Sequence, residues 1–184
     1  MNRSFLLSAL AMAGIVALSN YLVQFPLNTW LTWGAFTYPV AYFVTDVANR
    51  RAGVARARQM AWVGFVTGLA LSLMLAPPRI ALASAAAFLA SQFMDIAVFN
   101  KLRQKVWWKA PFIGSIAASV LDTAIFFSLA FAGEDLNWLA LASGDLAVKL
   151  LMAVLLLAPY RMILVRAGLL TPPAKAVRAS AMKG

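Results

Sequence analysis

Six long apolar stretches, parted by short polar or proline-bearing interruptions, make up most of the chain: 4–24, 35–49, 59–76, 80–99, 111–132 and 138–160. A helix needs roughly 20 apolar residues to cross a bilayer. The second and third stretches are short by that measure. The preceding NTWLTWGAF (28–36) could dip back into the membrane and lengthen the second. APPR (76–79) separates the third from the fourth, because proline ends helices, and AGEDLN (132–137) separates the fifth from the sixth. The expectation is an all-α fold, an integral membrane six-helix bundle. It forms one domain over 1–170, followed by a basic, disordered tail over 171–184 (TPPAKAVRASAMKG).

Composition agrees with lipid as the solvent. Of 184 residues, 63% are hydrophobic and 12% charged, with mean hydropathy +0.81. One soluble core of this size could not hide so much apolar surface. The net charge of +10 gains meaning from its placement. Arg3, then Arg50, Arg51, Arg56 and Arg58, then Lys101, Arg103, Lys105 and Lys109, and finally Arg161, Arg166, Lys175, Arg178 and Lys183 fall on one side if every stretch spans. The other side holds Arg79, Glu134 and Asp135. This asymmetry puts both termini in the cytoplasm. It reads as a positive-inside signature and an attraction to anionic lipid headgroups, with no nucleic-acid partner. Arg3, an apolar run and ALS (17–19) imitate a secretory signal. Cleavage would leave five spans and spoil the charge alternation, so the first stretch is expected to stay.

The chain has no cysteine and no histidine, which removes disulfides, thiolates and the usual metal ligand and neutral-pH base. GxxxxGK[ST], HExxH and GxSxG are missing as well. No enzyme, metal site or cofactor is expected.

Four aspartates and one lysine fall inside the apolar stretches: Asp46, Asp95, Asp122, Asp145 and Lys149. A charge at the bilayer centre is costly, so each should face the bundle interior and meet a partner or a wet cavity. At about 1.5 Å per residue, Asp122 and Lys149 both lie roughly 16 Å from a membrane edge, near the midplane. Asp145 precedes Lys149 by four residues and shares its helix face. Gln92 and Asp95 share a face, as do Ser119, Asp122 and Thr123. Asp46 precedes Arg50 by four residues, which suits an ion pair at the membrane boundary. Trp107, Trp108 and Trp138 read as interfacial anchors. Trp30 and Trp33 read as anchors or as aromatic walls for a flat ligand. Carboxylate, amide and aromatic groups together suit the donor edge and ring of a purine-like base. An amino acid or an inorganic cation could use the same kit.

SNYLVQFP (19–26), TWGAFTYPVAYFVTDVANR (32–50), SQFMDIAVFNKLRQKVWWKAP (91–111), SVLDTAIFFSLAFAG (119–133) and the Asp145–Lys149 spacing closely resemble the bacterial queuosine precursor transporter family, also called the vitamin uptake transporter family. The resemblance covers nearly the whole chain in order. It implies a multi-pass protein of the bacterial inner membrane that imports 7-cyano-7-deazaguanine or 7-aminomethyl-7-deazaguanine. The family is similar in size and span number to the substrate-binding subunits of energy-coupling-factor transporters. That implies the alternative of a binding subunit needing a separate ATPase complex. The residues carried over are Asn20, Gln24, Trp33, Asp46, Gln92, Asp95, Asn100, Asp122, Asp145 and Lys149. From depth and chemistry, Asp122 and Asp95, helped by Gln92, are expected to hold the base edge against a wall from Trp33 or Phe36. Lys149 would neutralise the carboxylates, with Thr123 and Asp145 beside it, and Asn20 and Gln24 would complete the substrate set. Asp46, Arg50 and Asn100 are expected at a gate or boundary ion pair. The short APPR link departs from many relatives and shifts the expected gate to 25–36. A homodimer is compatible with the Gly/Ala-rich surfaces.

Overall fold

The computed structural model describes residues 3–28, 31–135 and 137–170. The tail expected over 171–184 and the ring of Trp30 lie outside the described residues. Eight helices and one short ribbon follow in order among the described residues. They are α1 (Arg3–Leu22), β1 (Pro26–Asn28), β2 (Leu31–Thr32), α2 (Gly34–Thr37), α3 (Val40–Ala52), α4 (Val54–Leu75), α5 (Pro78–Leu102), α6 (Lys109–Phe131), α7 (Trp138–Leu155) and α8 (Leu157–Arg166). Strands β1 and β2 pair antiparallel.

Five helical stretches are long and apolar enough to cross a membrane, with α7 and α8 counted together. The second expected span is the exception. It is a four-residue turn of helix, a break at Tyr38–Pro39, and a 13-residue helix. Proline supplies no N–H and crowds the preceding turn, which accounts for the break. The segment expected to dip back into the membrane holds the end of the β1–β2 ribbon and the start of α2.

Side-chain contacts between helix ends show that this broken segment still runs the length of the bundle. Arg56, in the first turn of α4, stacks on Phe5 near the start of α1 at 4.5 Å. Arg50, near the end of α3, donates to the Arg103 carbonyl beyond α5 at 2.7 Å and to the Tyr160 hydroxyl of α8 at 3.3 Å. Arg161 lies over Trp107, 5.8 Å from its ring centre. The basic residues thus gather at one end, and α3 terminates there. At the other end Arg79 bonds Glu134 at 2.8 Å and caps the Leu129 and Ala132 carbonyls of α6. Six segments therefore alternate in direction, as the charge pattern requires.

The basic residues at 50–58 do not occupy a loop. They lie in the ends of α3 and α4, joined by Gly53 alone. Its φ of +82° belongs to the left-handed region that favours glycine. Asn137 caps α7 by accepting from the Ala140 N–H. Pro159 removes the N–H that would bond the Leu155 carbonyl, and α7 passes into α8 at that point.

Helix α5 is the central element, packed against α3, α4 and α6. Ala81, Ala83, Ala85 and Ala87 let its neighbours approach closely. Met12, Val16, Ala41, Met60 and Phe88 join α1, α3, α4 and α5 in one apolar core. A Cβ on Gly64 would stand 2.5 Å from the Phe88 ring and 3.1 Å from the Met12 sulfur. Gly14 has open space. Large apolar side chains such as Leu7, Leu10, Val66, Met74, Leu139 and Met162 face outward, as lipid contact demands.

Gly64→Val should therefore lower the melting temperature in detergent by several degrees, an overpacking cost of about 1–3 kcal/mol. Gly14→Val should leave it nearly unchanged. Equal melting temperatures for the two variants would contradict the three-helix contact.

Candidate functional site

The polar residues of the interior form two clusters at different depths. The upper one centres on Lys149, which is 4% exposed. Its Nζ donates to Asp122 Oδ2 of α6 at 2.7 Å, to Thr123 Oγ1 at 3.2 Å, and to Asp145 Oδ2 of its own helix. Thr123 donates to Asp145 at 2.9 Å, closing the ring between α6 and α7. On the far side of Asp122, Oδ1 accepts from Ser91 of α5 at 3.3 Å and from Tyr38 at 3.5 Å. Tyr42 donates to Ser91 at 2.9 Å. The Lys149 ammonium also lies over the Tyr38 ring, 5.6 Å from its centre. A single lysine thus serves two carboxylates, and the cluster is one positive charge short of neutrality.

Above this cluster lies a cavity, partly open to solvent, of about 570 Å³ with its mouth included. Asp122, Asp145 and Lys149 border it. Tyr38 and Phe126 supply its aromatic surface, and Ser19, Asn20 and Ser84 add polar groups. The buried Ser19 hydroxyl has no hydrogen-bond partner among the described residues. The remaining border comes from Val23, Thr32, Gly34 and Ala35. A Cβ on Gly34 would meet the Val23 backbone at 2.9 Å, so only glycine lets α2 lie this close to the end of α1. The border residues of α1, α5 and α7 belong to the turns remote from the basic end. The cavity is therefore reached from the sparsely charged end.

This geometry revises the expected substrate set. Asp122, Asp145, Lys149 and Asn20 border the cavity, and Thr123 braces Asp145 and Lys149. Asn20 is also tied to the scaffold: its Oδ1 accepts from Ser72 at 2.7 Å and its amide donates to the Val16 carbonyl at 3.0 Å. Asp95 and Gln92 do not border it. Gln92 bonds Thr45 of α3 at 2.7 Å, and Asp95 lies one turn nearer the basic end, against α3 and Gly114 of α6. Their shared face on α5 is real, but α3 covers it. Trp33 is half exposed and stacks with Phe36 at 6.2 Å, and neither borders the cavity. Gln24 is exposed. Asn100 is exposed on the last turns of α5, apart from the buried Asp46. The expected Asp46–Arg50 ion pair is not among the described salt bridges. Arg50 turns to Arg103 and Tyr160 instead.

Tyr38, Tyr42 and Phe126 join the cluster and cavity beyond the expected set, and Ser91, expected beside Asp95 at i, i+4 spacing, meets Asp122. A signal existed for the first two. Tyr38, Tyr42, Thr45, Asp46 and Asn49 recur at helical spacing, a polar stripe along α3.

A family model described as "Putative vitamin uptake transporter" matches residues 32–77 and 71–163. The queuosine precursor transporter of Escherichia coli (strain K12) is 31% identical over 174 residues, covering 79% of each chain. A protein of Haemophilus influenzae (strain Rd) named as a probable queuosine precursor transporter is 31% identical over 186 residues, again covering 79% of each. A Bacillus subtilis (strain 168) protein of the same name is 31% identical over 130 residues, 55% of this chain and 57% of its own. No solved structure matches.

Lys149→Met should strip both carboxylates of their counter-charge and cost about 3–5 kcal/mol of stability. Adding Asp122→Asn to it should recover part of the loss, because one uncompensated charge is then removed. Thermal unfolding of the single and double variants checks the order. A double variant less stable than Lys149→Met alone would contradict the charge count.

Proposed function

This chain belongs to the vitamin uptake transporter family, and we propose that it imports queuosine precursors, guanine-like 7-deazapurine bases, across the bacterial inner membrane. The observation carrying this reading is the Asp122–Asp145–Lys149 cluster beneath a cavity with aromatic walls. A guanine-like edge offers two adjacent N–H donors and one carbonyl. A carboxylate accepts the donors in bidentate fashion, an ammonium donates to the carbonyl, and Tyr38 and Phe126 flank the ring. The names of the relatives support the same class of cargo.

The basic end of the bundle is cytoplasmic in this reading, by the positive-inside rule. Both termini then lie inside, and the cavity faces the incoming substrate. Residues 1–170 act as the transport domain and 171–184 as a basic cytoplasmic tail beside anionic lipid. The β1–β2 ribbon and α2, which edge the cavity, serve as the gate. Gly34 holds that gate against α1.

The charge count bears on cargo. With one ammonium for two carboxylates, the site has a carboxylate left for a cationic substituent. The aminomethyl precursor carries such a group and the cyano precursor does not. Asp145, the more exposed of the two carboxylates, is its partner.

Purified protein in liposomes, without an added ATPase, should take up labelled precursor. Failure there with success in whole cells would favour the binding-subunit alternative. Asp122→Asn should abolish uptake of both precursors, and wild-type uptake in that variant would remove the carboxylate from the site. Asp145→Asn should weaken the aminomethyl precursor by about tenfold more than the cyano one, the worth of a charge-assisted bond of about 1.5–3 kcal/mol partly screened by the open cavity. Equal losses for the two precursors would overturn the assignment of Asp145.

A further inference from the structure

The lower polar cluster has no part in the cavity just described. Asp46 of α3 and Asp95 of α5 are 2% and 0% exposed, and their carboxyl groups are close enough to interact. Asp95 points at α6, where a Cβ on Gly114 would stand 2.5 Å from its Oδ1. Asp46 Oδ1 and both Asp95 oxygens find no donor among the described residues. Around them Asn49 and Ser119, 0% and 1% exposed, also leave their side-chain polar atoms unpartnered. The charged or titratable groups facing the pair are Arg50 and Tyr42 from α3 and Tyr160 from α8. The groups from α5 and α6 on this side are neutral: Gln92, which bonds Thr45, and Ser115, which borders a void with Asp46.

Two carboxyl groups in contact form a hydrogen bond only when one of them carries a proton. With Arg50 as the neighbouring cation, one proton brings the cluster to neutrality, and its loss leaves a net negative charge in a dry interior, at high cost. The void beside Asp46, bordered by Ser115, Tyr160 and apolar side chains, is much smaller than the cavity above.

We propose that the Asp46–Asp95 pair is a proton-carrying site that couples import to the proton gradient. The inference rests on the transport reading above and deepens it by naming the driving ion. Helix α3 makes the connection. It carries Tyr42, linked through Ser91 to Asp122, and one turn further on it carries Asp46. With the proton in place, α3 stays packed against α5 at the basic end. Release of that proton to the less acidic interior leaves excess negative charge, which draws water into the seam between α3 and α5. The equilibrium then shifts toward a cavity open to the inside. The step is balanced: one O–H bond forms when a proton enters from the acidic side, and the same bond breaks when the proton leaves on the other.

Proteoliposomes test this with the neutral cyano precursor. Wild type should exchange labelled for unlabelled base under counterflow without any gradient. With the outside one pH unit more acidic it should concentrate the base up to about tenfold, the limit for one proton per molecule, and a protonophore should abolish that accumulation. Asp95→Asn should keep counterflow and lose the accumulation, and Asp46→Asn gives an independent second variant. Wild-type counterflow with accumulation indifferent to pH difference and protonophore overturns the proposal, as does accumulation driven by a sodium gradient instead. So does wild-type accumulation in both variants. Absence of counterflow in wild type removes the transport reading itself, and the coupling with it. The wild-type measurements stand even if neither variant folds.

Discussion

Burial of Lys149 between two aspartates governs the arrangement of the bundle. In lipid the apolar faces of helices gain little from meeting one another, so polar contacts and close packing hold the helices in place. One ammonium reaches carboxylates on α6 and α7, and Asp122 passes the connection to α5 through Ser91 and toward α3 through Tyr38 and Tyr42. Four helices thus meet at one charged centre. The alanine-rich faces of α5 make that meeting possible by keeping the backbones close.

The broken second segment follows from the same requirement. A straight span starting at residue 34 would have no reason to interrupt its hydrogen bonds. The break at Pro39 separates α2, which edges the cavity, from α3, which lines the interior with Tyr42, Thr45, Asp46 and Asn49. One short stretch of chain so supplies the rim of the cavity, part of its wall, and half of the lower carboxyl pair.

A bundle of long apolar helices is legible in hydropathy, because lipid acts on long averages of composition; the broken second segment is not, because its break depends on local packing around Pro39. The Asp122–Asp145–Lys149 cluster was readable for a related reason: a lone intramembrane lysine has few places to go. What failed were inferences about which helix covers which face. Gln92 and Asp95 share a face with Ser91, yet Ser91 meets Asp122 while the other two meet α3. Helix rotation and the path of a 13-residue segment decide that, and neither is written in local spacing. Trp33 and Phe36 were assigned a wall by residue type, whereas the rings at the cavity are Tyr38 and Phe126.

The turn between α4 and α5 has only three residues outside or at the edge of helix, and Arg79 clamps it to the last carbonyls of α6 and to Glu134. Those three helices consequently share a rigid strut at the sparsely charged end. The opposite side of the mouth is formed by the end of α1, the ribbon and α2. That side of the mouth runs on through Pro39 into α3, so the rim is continuous with the helix that carries Tyr42 and Asp46.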